Sequence, residues 1–107
     1  MTINLPDGWS ALDREQAQGF EAELARELAA VHSLAGVALD ALATRNSNDD
    51  VLFRERAEPS HYIVVHLTWI GRRETSPHFP AVVFAGTFAE FLAEEALLAA
   101  EIERTSP

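Results

Sequence analysis

The chain has 107 residues, a net charge of −9 and no cysteine. This length suits one domain with a modest core, and the lack of cysteine excludes disulfides and thiolate metal sites. Acidic residues are concentrated towards both ends, whereas residues 51–80 hold four arginines against three acids. Because an acidic chain repels phosphate backbones at long range, we expect no nucleic-acid partner, and an anion would be tolerated best in the middle segment.

The sequence indicates no targeting or membrane-spanning segment. The first ten residues, MTINLPDGWS, lack a basic start followed by an apolar run. The longest apolar runs are much shorter than the roughly 20 residues that a membrane helix requires. We therefore expect a cytoplasmic protein without a membrane partner.

The first predicted helix covers residues 13–33 and follows an extended arm at residues 1–12. Asp13 is its predicted N-cap, with Gln16 as the capping-box partner three residues later. Apolar side chains then recur at steps of three and four, which predicts one buried stripe: Ala17, Phe20, Leu24, Leu28 and Val31. The charged positions are expected to face solvent: Arg14, Glu15, Glu23, Arg26 and Glu27.

The second predicted helix covers residues 87–103. Thr87 is its N-cap and Glu90 is the acid three positions later, so this helix also begins with a capping box. Its predicted apolar stripe has six members: Phe88, Phe91, Leu92, Leu98, Ala99 and Ile102. The acidic residues on the other side are expected to be a solvated face: Glu90, Glu94 and Glu101.

Between the helices the sequence predicts a β-meander over residues 37–69, whose strands are separated by the polar turns TRNSNDD and AEPSH. Its first strand depends on the alternation in residues 37–43, which is also compatible with helix. Residues 70–80 are expected to form a loop, and AVVFA at residues 81–85 is an optional fourth strand. The predicted fold is one α+β domain: a three- to four-stranded, mainly antiparallel sheet with both helices packed on one face.

The predicted strand YIVVHLTW divides its side chains between two faces. One face is wholly apolar and is the predicted core face: Ile63, Val65, Leu67 and Trp69. We expect the other face to be open to solvent, and with the neighbouring strand it provides a candidate binding face: Arg54, Arg56, Tyr62, His66 and Thr68. Arg72 and Arg73 in the following loop are candidate further contacts, because guanidinium groups clamp carboxylates and phosphates. Cross-strand pairs of these residue types also occur where they only stabilise a sheet.

The sequence carries no motif that would define an enzyme or a metal site. His61 and His66 are five residues apart, so they point to opposite faces of one strand, and we predict no metal and no cofactor. Asp49 and Asp50 are explained by turn chemistry, and the five glycines stand singly, without a phosphate-loop pattern. No catalytic residue is assigned, although an acid–base role for His66 with Tyr62 or Glu74 stays open.

Three sequence blocks together resemble a group of small bacterial proteins of about this length. The blocks are DDVLF, YIVVHLTWIG and a Pro-x-Val-x-Phe step that leads into TFAEF. The resemblance implies a small bacterial α+β protein without an assigned activity, and it supplies no catalytic residues. The size, fold class and acidity also resemble those of small inhibitor or immunity proteins, which cap the basic active sites of toxins.

The leading functional hypothesis is an interaction domain that binds a protein partner or a second copy of itself through the open sheet face. One alternative is a small anionic-ligand binder or His-dependent enzyme, in which arginines of the middle segment hold the anion and His66 is the acid or base. A second alternative is an acidic inhibitor or immunity-type protein, which uses Glu90 and Glu94 against a basic target.

Overall fold

The computed structural model describes residues 4–28, 32, 34–46, 48, 50–67 and 80–105. In chain order its elements are β1 (Trp9–Ala11), α1 (Arg14–Glu27), β2 (Leu39–Arg45), β3 (Asp50–Glu55), β4 (Tyr62–His66), β5 (Ala81–Gly86) and α2 (Phe88–Thr105). Each strand pairs antiparallel with the next, in the order β1-β2-β3-β4-β5. The α+β class is confirmed, but the described sheet has five strands where three to four were predicted. The optional fourth strand is confirmed as β5.

The additional strand, β1, comes from the segment that we predicted as an extended arm. Gly8 precedes it with a φ of 92°, a left-handed conformation that glycine adopts without a side-chain clash. Trp9 then pairs with Arg45 of β2, and Ala11 pairs with Ala43. A strand of three residues is too short for hydrophobic alternation to reveal it, so the sequence pattern alone does not predict this edge of the sheet.

The two helices cover opposite faces of the sheet, so the prediction that both pack on one face is wrong. The face under α1 holds one buried cluster: Leu39, Ala41, Val51, Phe53, Ile63 and Val65, against Phe20, Leu24 and Leu28. The other face holds a second cluster: Ala43, Leu52, Tyr62, Val64 and Trp9, against Phe88 and Phe91 of α2. The reason is that this second face is itself largely apolar and gains stability when a helix removes it from water.

A bulge in β2 determines which of its side chains face each helix. The register against β3 shifts between Ala41 and Ala43, so the strand turns over at Leu42. Ala41 therefore faces α1, whereas Ala43 lies under α2. The backbone N–H of Ala41 donates a hydrogen bond of 2.8 Å to the carboxylate of Glu21 on α1. The segment at residues 37–43, which was compatible with helix or strand, is thus strand from Leu39 onwards.

The capping box of α1 is confirmed, but the helix is shorter than predicted. The N–H of Gln16 donates to Oδ1 of Asp13 at 2.8 Å, and the N–H of Asp13 donates to Oε1 of Gln16 at 3.1 Å. The helix ends at Glu27, not at residue 33. Beyond it, the ring of buried His32 accepts from the N–H of Leu34 at 3.0 Å and donates to the carbonyl of Pro80 at 2.8 Å. These two bonds fasten the chain after α1 to the start of β5.

Two glutamates of α1, Glu23 and Glu27, are buried, although the helical pattern placed them on the solvent side. They lie one turn apart and flank Leu24, so they sit at the border of the apolar stripe. Arg26 donates to Oε1 of Glu23 at 2.8 Å. Position around a helix does not distinguish a border residue that is covered by other parts of the chain from one that remains in water.

The predicted loop at residues 70–80 lies outside the described residues except for Pro80, and Trp69 also lies outside them. No helix in the described part of the chain is both long enough and apolar enough to cross a bilayer.

Candidate functional site

The residues of the predicted binding face do not form one open surface. Arg54 and Tyr62 face each other across β3 and β4, as the predicted alternation requires. Tyr62 is only 8% exposed, because its ring packs 5.2 Å from the ring of Phe88 on α2. Arg56 lies just after β3, is exposed and donates to Asp40 at 2.7 Å, a bond that raises the pKa of Arg56. Three candidates lie outside the described residues: Thr68, Arg72 and Arg73.

His66 remains accessible and has an acidic partner. Its side chain is 45% exposed, and its Nδ1 lies 2.8 Å from Oδ1 of Asp50. Asp50 is the first residue of β3 and pairs directly with His66 across β3 and β4. The sequence explained Asp50 by turn chemistry. The hairpin register was the signal that could have found the pair, since Leu52 opposite Val64 also places Asp50 opposite His66.

Arg45 connects this pair to α2. Its Nη1 and Nη2 donate to the two carboxylate oxygens of Glu95 at 2.9 and 2.8 Å, and its Nε donates to Oδ2 of Asp50 at 3.1 Å. The indole of Trp9 lies under the guanidinium, 4.5 Å from ring centroid to Cζ, and donates from Nε1 to Glu95 at 2.7 Å. We call Trp9, Glu95, Arg45, Asp50 and His66 the Arg45 network.

The Arg45 network joins four strands to one helix through side chains that are mostly shielded from water. The hydrogen bonds to Glu95 raise the pKa of Arg45 above its usual value, so its guanidinium stays charged. One cation lies between two carboxylates, and the arrangement therefore has a surplus negative charge when His66 is neutral. Arg45 and Glu95 are fifty residues apart, and no local sequence pattern indicates that they meet.

The C-terminal part of α2 is an exposed apolar surface. Phe91 is buried, but residues 92–100, LAEEALLAA, include seven leucines and alanines, and every one of them is exposed. Leu97 reaches 64% exposure. We call residues 92–100 the apolar segment of α2. The predicted apolar stripe of α2 therefore packs only partly against the sheet, because Leu92, Leu98 and Ala99 remain exposed.

Two clefts flank the apolar segment of α2. One, of about 420 Å³, lies between Leu92, Ala96 and Ala99 and the turn at residues 6–8, with Arg45 and Glu95 also in its wall. The other, of about 220 Å³, is lined by apolar side chains of β5 and α2 together with Asp50 and Glu94; the apolar members include Val83, Phe84 and Leu98. Val83 is the extra residue of a bulge in β5 and is itself exposed.

The acidic residues near the start of α2 have local roles. The N–H of Thr87 donates to Oε1 of Glu90 at 2.8 Å, and the N–H of Glu90 donates to Oγ1 of Thr87 at 3.1 Å, which confirms the predicted capping box. The bond from the Thr87 backbone lowers the pKa of Glu90. Nearby, Nδ1 of His61 lies 2.9 Å from Oε2 of Glu55. Among the described residues, no group of three or more His, Asp or Glu side chains is arranged to hold a metal ion.

Comparison with protein-family models, curated proteins and solved structures gave no significant match. The resemblance to small bacterial proteins thus stays a prediction, and the function has to be argued from the geometry of this chain.

Proposed function

We propose that the chain is a protein-interaction module that self-associates through the apolar segment of α2. The observation that carries this proposal is the exposure of seven leucine and alanine side chains on nine consecutive helical residues. Helices that are apolar around most of their circumference are normally buried. A segment of this kind left in water is typical of a surface that another protein covers.

A second copy of the chain is the occupant that the surface favours. The exposed leucines project from the helix, and clefts with both apolar and charged walls lie on both sides of it. A two-fold axis would place the leucines of each α2 against the clefts of the other, so a single surface supplies both complementary halves. The exposed alanines, Ala93, Ala96 and Ala100, have small side chains that permit two helices to approach closely.

Size and charge limit the strength of such a dimer. Nine helical residues span about 13 Å, so the helix alone falls short of the roughly 800 Å² that a stable interface takes from each partner. Val83 and the turn at residues 6–8, which form walls of the two clefts, would have to add to the buried area of the interface. Two chains of charge −9 also repel each other. We therefore expect a dissociation constant on the order of micromolar, and tighter association at higher salt.

This proposal retains self-association from the sequence hypothesis but moves it from the sheet face to α2. The sheet face has less support because α2 covers Tyr62. Anion binding has less support because Arg56 is already paired with Asp40, although Arg54 makes no ion pair with any described residue. The inhibitor or immunity-type alternative has less support because the Glu90 carboxylate caps α2.

Sedimentation equilibrium of wild type and two charge variants tests the proposal. Leu97→Glu places a carboxylate in the centre of the apolar segment of α2. Gln18→Glu adds the same charge at an exposed position of α1 and is the matched control. We expect wild type and Gln18→Glu to dimerise and Leu97→Glu to be monomeric with an unchanged circular dichroism spectrum. A monomeric wild type well above micromolar concentration, or a dimer that survives Leu97→Glu, would contradict the proposal.

A further inference from the structure

We propose that Asp50 and His66 form a reactive imidazole–carboxylate pair, in which Nε2 of His66 accepts acyl groups from small neutral esters. This inference does not require self-association, because His66 lines neither of the two clefts that flank the apolar segment of α2, although Asp50 lines one of them. It starts from the 2.8 Å contact between Nδ1 of His66 and Oδ1 of Asp50.

That contact fixes which ring nitrogen carries the proton. A carboxylate only accepts hydrogen bonds, so in the neutral ring Nδ1 is the protonated nitrogen and Nε2 carries the lone pair. Nε2 lies on the far side of the ring from Asp50, and the side chain of His66 is 45% exposed. Within the described part of the chain, no group donates a hydrogen bond to Nε2. The lone pair on Nε2 is thus fixed in one tautomer on an accessible side chain.

Asp50 is held in place more firmly than an ordinary surface carboxylate. Its second oxygen accepts from Nε of Arg45 at 3.1 Å, and its backbone N–H donates to Oδ1 of Asn48 at 2.9 Å. Arg45 is itself clamped by Glu95. A carboxylate with both oxygens engaged keeps the imidazole oriented, which is the function of the acid in nucleophile–base–acid arrangements.

His61 provides an internal comparison. Its Nδ1 also contacts a carboxylate, that of Glu55, at 2.9 Å. The Glu55 side chain is 27% exposed against 11% for Asp50, and no arginine among the described residues holds it. Because both histidines are accessible but only His66 has a clamped partner, we expect them to differ in reactivity.

The reaction that this geometry supports is ester hydrolysis in two steps. Nε2 of His66 attacks the carbonyl carbon of an aryl ester, an N–C bond forms, and the C–O bond breaks so that the phenolate leaves with its electron pair. The positive charge on the acylated ring lies beside Asp50, which stabilises it. Water then attacks the acyl carbon and gives one proton, through solvent, to the released phenolate, while the N–C bond breaks and its electrons return to Nε2. The products are the carboxylic acid and the phenol, and no oxidant or reductant is consumed.

The surrounding charge indicates the substrate class. Asp50 and Glu95 exceed the single cation Arg45 by one negative charge, and Asp50 is in direct contact with the ring of His66. The surplus negative charge repels an anionic ester that approaches the ring. We therefore expect neutral esters to react faster than esters that carry a carboxylate.

Release of p-nitrophenolate from p-nitrophenyl acetate tests the proposal, with the acetylated histidine located by mass spectrometry. We expect His66→Gln to lose about tenfold in rate, less than the roughly 10²- to 10⁴-fold that a catalytic group supplies in an enclosed active site, and His61→Gln to keep the wild-type rate. An unchanged rate in His66→Gln, or equal acetylation of His61 and His66, would overturn the proposal.

The proposed role of Asp50 is to orient the ring of His66 and to fix its tautomer. A spectroscopic measurement separates this role from a contribution to fold stability alone. The nitrogen-15 shifts of the His66 ring report its tautomer. Wild type should show the Nδ1-protonated form, and Asp50→Asn should shift the population towards the Nε2-protonated form and slow acetylation. A wild-type ring that already favours Nε2 protonation would contradict the assignment even if Asp50→Asn failed to fold.

Discussion

At the scale of single residues, Arg45 has the most consequential position in this molecule. Its guanidinium is on β2, donates to a carboxylate of α2 and a carboxylate of β3, and stacks on an indole of β1. Among the α2 side chains that the structure describes, Phe88 and Phe91 pack into the cluster beneath the helix. The hydrogen bonds from Arg45 and Trp9 to Glu95 give α2 a second, polar attachment to the sheet.

Replacement of Arg45 by methionine should destabilise the fold. The change leaves Asp50 and Glu95 without their cation in a partly dehydrated site, and hydrogen bonds to charged groups are worth about 1.5–3 kcal/mol. We expect the free energy of unfolding in urea to fall by about 2–3 kcal/mol. Arg56→Met, which removes an exposed pair with Asp40, is the control and should change stability little. Equal losses of unfolding free energy in the two variants would contradict this prediction, because the Arg45 network would then stabilise the fold no more than an exposed ion pair does.

Glu90 should contribute to the acid sensitivity of the fold. Its pKa is lowered in the folded state by the hydrogen bond from the Thr87 backbone. The stabilisation is therefore present above the ordinary glutamate pKa of about 4.3 and is lost as the pH falls through the lower, folded pKa. In Glu90→Gln the amide oxygen accepts the same bond at every pH, so its urea midpoint should decline less steeply between about pH 5 and 3. Glu94→Gln is the control. If the urea midpoint of Glu90→Gln declined with pH as steeply as that of Glu94→Gln, Glu90 would not contribute to the acid sensitivity of the fold.

His66 shows which part of the candidate site was predictable from the sequence. Strict alternation along β4 correctly placed Tyr62, Val64 and His66 on one face. Whether that face was open depended on where α2 packs, and no pattern within the strand contains that information. The partner Asp50 could have been found from hairpin register, whereas Arg45 and Glu95 meet only through the tertiary fold.

At the scale of elements, features formed by residues close in sequence were predictable, and features that depend on distant residues were not. Both capping boxes were predictable, because each is formed by residues three positions apart. The end of α1 was not, because apolar residues continue at helical spacing beyond Glu27, at Leu28 and Val31. The bulge in β2 was also not predictable, because its freed backbone group is satisfied by a side chain of α1.

The contact between Glu21 and β2 gives a prediction for these two elements. In Glu21→Ala the N–H of Ala41 loses its acceptor, which should cost about 1 kcal/mol of unfolding free energy. Hydrogen exchange of the Ala41 amide should accelerate relative to wild type, with Gln18→Ala, an exposed substitution on the same helix, as the control. Unchanged exchange at Ala41 would show that another group protects this amide.

At the scale of the whole molecule, the protein has three layers, helix, sheet and helix, and a net negative charge. One edge of its sheet is uncharged. The sheet lies between α1 and α2, and the outer strand β5 contains no charged residue and no proline. Its bulge at Val83 twists the edge and discourages continuous strand pairing, so side-chain packing by the adjacent α2 is the more favourable mode of association.

The salt dependence of molecular mass tests the central proposal most directly. Sedimentation equilibrium would be measured at about 50 mM and about 500 mM sodium chloride, where the screening length falls well below molecular dimensions. An apolar interface between two chains of charge −9 predicts that the apparent mass rises towards twice the chain mass of 11.8 kDa as salt increases. A mass that stays at the monomer value at both salt concentrations, or that falls with salt, would contradict self-association through α2.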